Sequence, residues 1–313
     1  MRDSFLKALT ELAEQDHRVM LLTGDLGFGI FDDFSARFPK QFLNVGVAEQ
    51  NMIGVATGLA MEGRTIFAYS IANFSTLRCL EQIRNDACYH EVSINIVASG
   101  GGFTYGPLGM SHHATEDISI LRSLPGVTVV APADAWESGE ATRALAVNPG
   151  VGYLRIEKKV PINTCRQGEQ FKLGSARRIR EGKDITFLCC GGITMEALKA
   201  ADQLSKLGIE ARVVSVHTIK PLDEVEVFSA AEETGGIITV EENNILGGLG
   251  GAVAEVCMET GVVPHFFKRM GLPDTYSSIV GSQEYLRKRY KIDSIAIVNM
   301  AVHLINKKSE VSV

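Results

Sequence analysis

Glu49 is the residue of this chain whose setting most invites chemistry. It stands in the segment Asn44-Val45-Gly46-Val47-Ala48-Glu49-Gln50-Asn51, where a strand-like stretch runs into a helix with a carboxylate in its first turn. Such a carboxylate complements the helix dipole, an effect of about 0.3–1 kcal/mol. On residue type alone that structural reading is the simpler one. Its neighbours, however, are Val45, Val47, Ala48, Met52, Ile53 and Val55. An apolar setting disfavours the charged carboxylate. A carboxyl poised that way can exchange a proton or hydrogen-bond a heterocycle nitrogen.

A second candidate is the glycine-rich run 99–113, SGGGFTYGPLGMSHH. Glycines at this density leave a pliable, exposed backbone after a strand. Loops of this length are uncommon unless functional, and the pair His112 and His113 at its end favours a site over a plain loop. Adjacent residues rarely ligate one ion, and no acidic or cysteine partner has suitable spacing, so a metal site is disfavoured. A third candidate, 243–251, is a glycine-rich turn opening a helix. Such a turn can bind phosphate or simply allow close helix packing. Its spacing matches neither a Walker nor a Rossmann fingerprint, which favours packing.

For these segments to meet, the fold must gather strand ends. Apolar runs at 19–22, 65–69, 93–98, 127–130 and 152–156 read as strands, and 48–61, 74–89 and 133–147 as helices. The N-terminal segment 1–18 reads as an amphipathic helix. A polar stretch, 158–183, reads as a linker. The pattern then restarts, with strands at 185–190, 211–216 and 236–240 and helices at 194–207, 223–234 and 249–260. Alternation of strands and helices implies parallel sheets. The fold class is therefore α/β, in two domains, each a mostly parallel sheet with helices on both faces. Ligands of open parallel sheets sit at the carboxyl ends of strands, which directs attention to 23–28, 69–74 and 99–113.

The 313 residues fit about two domains of ordinary size. Hydrophobic content of 45% and charged content of 22% suit a globular protein with a sizeable core. The net charge of −6 has both signs scattered along the chain, so nucleic acid is not an expected partner. The densest basic cluster, Arg287, Lys288, Arg289 and Lys291, reads as a solvated helix face. Six cysteines form no CxxC pair, which points to buried reduced thiols in a cytoplasmic protein. No stretch reaches the ~18 apolar residues of a membrane span, and the N-terminus lacks the apolar core of a signal peptide.

Several segments, in order, resemble the C-terminal section of transketolase-family enzymes: Gly24-Asp25-Leu26, the glutamate motif at 46–50, Phe74 through Arg78 with 81–84, Ser111-His112-His113 through Asp117, and Thr218-Ile219-Lys220-Pro221-Leu222-Asp223. The resemblance implies a pyrimidine-binding domain over 1–160, a linker over 161–184 and a transketolase C-terminal domain over 185–313. It implies thiamine diphosphate as cofactor. Glu49 is then expected to hydrogen-bond its aminopyrimidine ring and promote the tautomer that activates the thiazolium carbon. Phe74 is expected to stack on the pyrimidine, with Asp25 lining the pocket. His112 is expected at the substrate or the cofactor's amino group. Arg155, with Arg78 as a second candidate, is expected to bind a substrate phosphate; a surface ion pair is the alternative for both.

The sequence also departs from the family. Leu108 stands where an Asp that reads a substrate hydroxyl is usual, Gly100 where a histidine is frequent, and His113 where a Gln follows the family's histidine. These changes lie on the substrate side and point to an unusual sugar. Gly24-Asp25-Leu26 and Asn51 fall short of the family's metal motif, so the Mg²⁺ and diphosphate site is expected on a separately encoded partner subunit, in a two-plus-two heterotetramer. The rival readings are the beta subunit of a 2-oxoacid dehydrogenase and a non-catalytic regulatory subunit.

Overall fold

A computed structural model describes residues 1–158 and 163–311, with side chains through 307. The domain boundary expected at 160/161 lies outside the described residues. The chain opens with α1 (Arg2–Gln15), which buries Phe5, Ala8, Leu9 and Ala13 on one face. Then come β1 (Val19–Thr23), α2 (Asp32–Arg37), β2 (Phe42–Asn44), α3 (Glu49–Met61), β3 (Thr65–Ile71), α4 (Ala72–Thr76), α5 (Leu80–Gln82) with a π-helical turn at Ile83–Cys88, and β4 (Ile94–Ser99). After the glycine-rich loop follow α6 (Asp117–Ser123), β5 (Val127–Val130), α7 (Ala135–Val147) and β6 (Val151–Ile156).

The second half contains β7 (Arg177–Arg180), β8 (Ile185–Cys190), α8 (Thr194–Ser205), β9 (Ala211–Ser215), β10 (Thr218–Lys220), α9 (Glu224–Glu233), β11 (Ile237–Asn244), α10 (Leu249–Thr260), β12 (Phe267–Leu272), α11 (Gln283–Arg289) and α12 (Ser294–Val311). One sheet has the order β10-β5-β6-β4-β3-β1-β2 and the other β12-β11-β8-β9-β7. Both are parallel except at one edge, where β10 and β7 run antiparallel to their neighbours. The central strands β4 and β8 are buried at every residue. Such unbroken apolar runs are what a sheet covered on both faces requires.

Three expectations change. The helix read over 74–89 is broken into α4, α5 and the π-helical turn. The Ser75 and Thr76 hydroxyls bond back to carbonyls of the preceding turn, Thr76 to Ala72 at 2.6 Å, which competes with helix continuation. The polar stretch taken as linker contributes an edge strand, β7, whose arginines escaped an apolar-pattern reading. Strand β10, from the segment assigned to the C-terminal domain, pairs with β5 of the first sheet. One apolar core therefore runs across the seam, joining Val129 and Tyr153 to Leu188, Val214 and Ile219.

Candidate active site

Strands β1, β3 and β4 are adjacent and parallel, and end side by side at Thr23, Ile71 and Ser99. Next to them, the Asn44 side chain ties the ends of β1 and β2 together. Its Oδ1 accepts from the Asp25 and Gly46 amides, both at 3.0 Å, and its Nδ2 donates to Asp25 Oδ1 at 2.9 Å. Asp25 takes the left-handed conformation, φ 57°, which Asp tolerates better than most residues. Gly46 at φ 75° then turns the chain into α3, whose first residue is Glu49.

Glu49 is 3% exposed, with Met52 and Ile53 fully buried beneath it. A Cβ at Gly24 would lie 3.5 Å from Glu49 Cγ, so the glycine backbone forms one wall around the carboxyl. Glu49 opens onto a cavity of about 480 Å³ lined by Val47, Ala48, Gln50, Asn51 and Arg78. Arg78 Nη1 donates to Glu49 Oε2 at 3.1 Å. The same guanidinium lies over the Phe74 ring, 4.0 Å from its centroid. Phe74 meets the His112 ring edge-on at 5.1 Å. Thus Glu49, Arg78, Phe74 and His112 form one chain of contacts, and Asp25 is tied to Asn44 on the neighbouring strand ends. Cys79, behind this group, donates to the Phe74 carbonyl at 3.1 Å. Burial, then the Glu49 charge, push its thiol up to about 12.

The loop after β4 folds over this face. Gly100 at φ 92° starts it, and Gly102 pairs with Ala114 across its base. His113 turns inward, where its Nε2 meets the Gly106 carbonyl at 3.0 Å and its ring packs edge-on against Phe103. His112 stays half-buried at the mouth, with Nδ1 3.0 Å from Ser111 Oγ. Burial first, then His113 and Arg78, hold its pKa below the ordinary histidine value. Leu108 and Met110 project from the loop, each 56% exposed.

Arg155 is a correction. It is 2% exposed, and its guanidinium is committed within the seam. Nε lies 2.9 Å from Asp117 Oδ2, and Nη2 donates to the carbonyls of Ala114 and Glu242. It does not reach the cavity beside Glu49. Arg287 is another: instead of joining a solvated face, it is 8% exposed and pairs with Glu242 and Glu157. The glycine-rich turn at the start of α10 is filled from within. Glu241 accepts from the Leu249 and Gly250 amides at 2.8 and 2.9 Å, taking the anion position at that helix end. Sequence reasoning passed over Tyr105 and Lys158 at the mouth. Lys158 Nζ sits 5.7 Å from the centre of the Tyr105 ring. Their signal was position alone, immediately after a strand end or inside the glycine run.

These residues fit the pyrimidine end of thiamine diphosphate. A buried carboxylate at a helix N-terminus borders the cavity, a half-buried aromatic ring stands next to it, and the planar guanidinium of Arg78 already contacts both. For the diphosphate end, no cluster of three or more His, Cys, Asp or Glu able to hold a metal ion occurs among the described residues.

A two-sheet α/β chain with such a strand-end carboxylate defines a class, and comparison with known proteins agrees. Residues 1–160 match the family model described as transketolase, pyrimidine binding domain, and residues 174–297 the one described as transketolase, C-terminal domain. The chain belongs to the transketolase family and has the domain content of its C-terminal section. It is 36% identical to a 6-deoxy-6-sulfo-D-fructose transketolase subunit of Clostridium sp. (strain MSTE9), over 99% of this chain and 95% of that one. It is 35% identical to an apulose-4-phosphate transketolase subunit of Phocaeicola vulgatus, over 98% and 97%. The solved structure of a split gene transketolase, an inactive beta4 tetramer, superposes with a TM-score of 0.89 at 34% identity, covering 97% of this chain and 98% of that one. Membership in this family implies dependence on thiamine diphosphate. Among the described residues, no helix is long and apolar enough to cross a membrane.

Proposed function

We propose that this chain is the pyrimidine-binding half of a two-chain transketolase that moves a two-carbon ketol unit between sugar phosphates or similarly acidic sugars. The observation that carries this reading is the buried Glu49 carboxyl at the start of α3, facing Phe74 across Arg78. Thiamine diphosphate, when bound, supplies the carbon nucleophile of the reaction. Glu49 holds the ring nitrogen of its pyrimidine and exchanges a proton there. Phe74 offers its ring face, and Asp25 lines the same pocket. Arg78 satisfies Glu49 until that nitrogen arrives, then yields it, which its half-exposed side chain permits.

His112, whose pKa burial and then His113 and Arg78 hold below the ordinary histidine value, is placed to accept a proton from a substrate hydroxyl. Lys158 replaces Arg155 as the cation for an acidic end group, being exposed at the mouth rather than sealed in the seam. The sugars for which two relatives are named carry a sulfo and a phosphate group, which supports a ketose with an acidic end. Mg²⁺ and the diphosphate belong to a partner chain. The strand-end loops expose Phe28 at 77%, Val47 at 73%, Leu108 and Met110, apolar surface of the kind a partner covers. The inactive beta4 tetramer formed by the structurally similar split transketolase suits a subunit that self-associates and lacks activity alone.

The test is ketol transfer from a panel of ketose donors to aldose acceptors, with thiamine diphosphate and Mg²⁺, using this chain, a diphosphate-binding partner chain, and both. Turnover is expected only with both. Decarboxylation of a 2-oxoacid in place of ketol transfer would move the assignment to the dehydrogenase relatives.

A further inference from the structure

We propose that the Tyr105 hydroxyl is a specificity-determining contact to the sugar, and that Gly100 is glycine to make room for the Tyr105 ring. The inference rests on the transketolase reading above and names a residue which that reading leaves unused.

A Cβ at Gly100 would lie 2.1 and 2.2 Å from two carbons of the Tyr105 ring. No side chain fits at position 100 while the ring stays there, and the φ of 92° disfavours one in any case. The ring is thus wedged above the end of β4. It meets the His112 ring at 6.2 Å on one side, and Lys158 Nζ stands 5.7 Å from its centroid. Tyr105 therefore stands between the two mouth residues already given substrate roles.

Its hydroxyl distinguishes it from the other tyrosines nearby. Tyr153 is fully buried and donates to Asp117 at 2.5 Å. Tyr69 is 4% exposed, and burial pushes its hydroxyl up to about 12 while Ser99 draws it back. Tyr105 is half-buried, and its hydroxyl has no hydrogen-bond partner among the described residues. Three residues on, through the 3₁₀ turn Gly106–Leu108, the chain presents Leu108, which has no polar group to offer. The loop's polar contact thus moves from 108 to 105. A carboxylate there could only accept hydrogen bonds, whereas a phenol also donates. The sugar read here can therefore present an oxygen that only accepts at that point, which a carboxylate would repel.

Tyr105→Phe keeps the ring wedge and removes only the hydroxyl. In the assembled two-chain enzyme, with fructose 6-phosphate and 6-deoxy-6-sulfofructose as ketose probes, its KM for the preferred ketose should rise about tenfold, the scale of one lost hydrogen bond. Its kcat and affinity for thiamine diphosphate should stay within about twofold, inside the spread of a substitution that leaves the cofactor pocket intact. Calorimetric titration of the same ketoses onto the complex reads the effect without turnover. Unchanged KM and unchanged ketose affinity in Tyr105→Phe, with Glu49→Gln inactive, would overturn the Tyr105 assignment and leave the transketolase reading standing. Full turnover by Glu49→Gln would overturn that reading itself. Failure of the native complex to bind or turn over any ketose of the donor panel would overturn both.

Discussion

The strand-end pocket and the seam between the two sheets contain the same kinds of charged groups but treat them oppositely. In the seam, Arg155, Asp117, Glu157, Glu242 and Arg287 are all at most 8% exposed, and each arginine is locked against a carboxylate. Burial raises the Glu157 carboxyl above its ordinary range while Arg287 pulls it back. Gln283 bridges Glu157 and Glu242 at 3.1 and 2.9 Å, and Glu242 accepts the Phe103 amide at 2.5 Å. The network therefore pins the root of the glycine-rich loop to the C-terminal domain. In the pocket, Glu49 is equally buried, but the side chain of its partner Arg78 is 49% exposed and faces a cavity. A desolvated charge whose partner is free to leave marks a ligand site, whereas desolvated charges on both sides mark a fixed joint.

Breaking each region should therefore give different signatures. Glu49→Gln should lower kcat of the assembled enzyme about 10²–10⁴-fold, the range of a lost acid–base group, with the melting temperature unchanged. A lower melting temperature with retained turnover would make Glu49 a structural residue like those of the seam. Arg287→Met leaves Glu157 and Glu242 buried without their cation. It should cost about 3–5 kcal/mol in denaturant unfolding, as removal of one member of a buried ion pair does. The double variant Arg287→Met with Glu242→Gln should recover part of that loss. A cost below about 1 kcal/mol, the value of an exposed pair, would erase the contrast between the two regions.

The pocket was more legible in the sequence than the seam, for a physical reason. Glu49 opens α3, Phe74 sits in the short helix that follows β3, and His112 closes the glycine-rich run, all places where the apolar pattern changes. Local pattern reports such places. The seam is built from Arg155 and Glu157 at the end of β6, Glu242 and Arg287, three stretches far apart in sequence and joined only in the folded chain. A buried arginine and a solvated one look alike without their partners. For that reason Arg155 invited a substrate role and Arg287 a solvated face. The short edge strands were missed because β7, Arg177–Arg180, is mostly charged and β10 has only three residues. The broken helix at 72–88 depended on hydroxyl-to-backbone bonds that periodicity does not register.

The next effect is smaller and depends on pH. His217, fully buried, stacks on Phe171 at 4.3 Å. Burial, then the Arg177 charge, lower its pKa from 6.5 to about 3. The unfolded chain then binds the extra proton between those values, so this group's stabilising contribution is complete above 6.5 and is lost as pH falls toward 3. By pH 5 the loss should be about 2 kcal/mol. Glu241, raised by burial to about 7, acts in the opposite direction over part of that range. The informative quantity is therefore the difference from His217→Phe, which retains the stack. The native chain should lose stability on acidification more steeply than the variant, as followed by urea unfolding at pH 7, 6 and 5. Parallel slopes would show that His217 is protonated freely and that the site beside Arg177 is less sealed than the seam.

The smallest effect belongs to Asn44, which carries no charge and touches no proposed ligand. Beside the bond from the Val45 N–H to the Thr23 carbonyl, its amide adds its own bonds joining the ends of β1 and β2 on either side of the turn into α3. Asn44→Ala removes those bonds from an exposed position, so the cost should be near 1 kcal/mol in urea unfolding. If the pocket works as an open, exchangeable site, its geometry depends on this backbone tie more than the global fold does. Asn44→Ala should then weaken thiamine diphosphate binding by the assembled enzyme more than it weakens the fold. Equal or smaller loss in cofactor affinity would mean that α3 is positioned by its buried face, Met52, Ile53 and Ala56, without help from the strand ends.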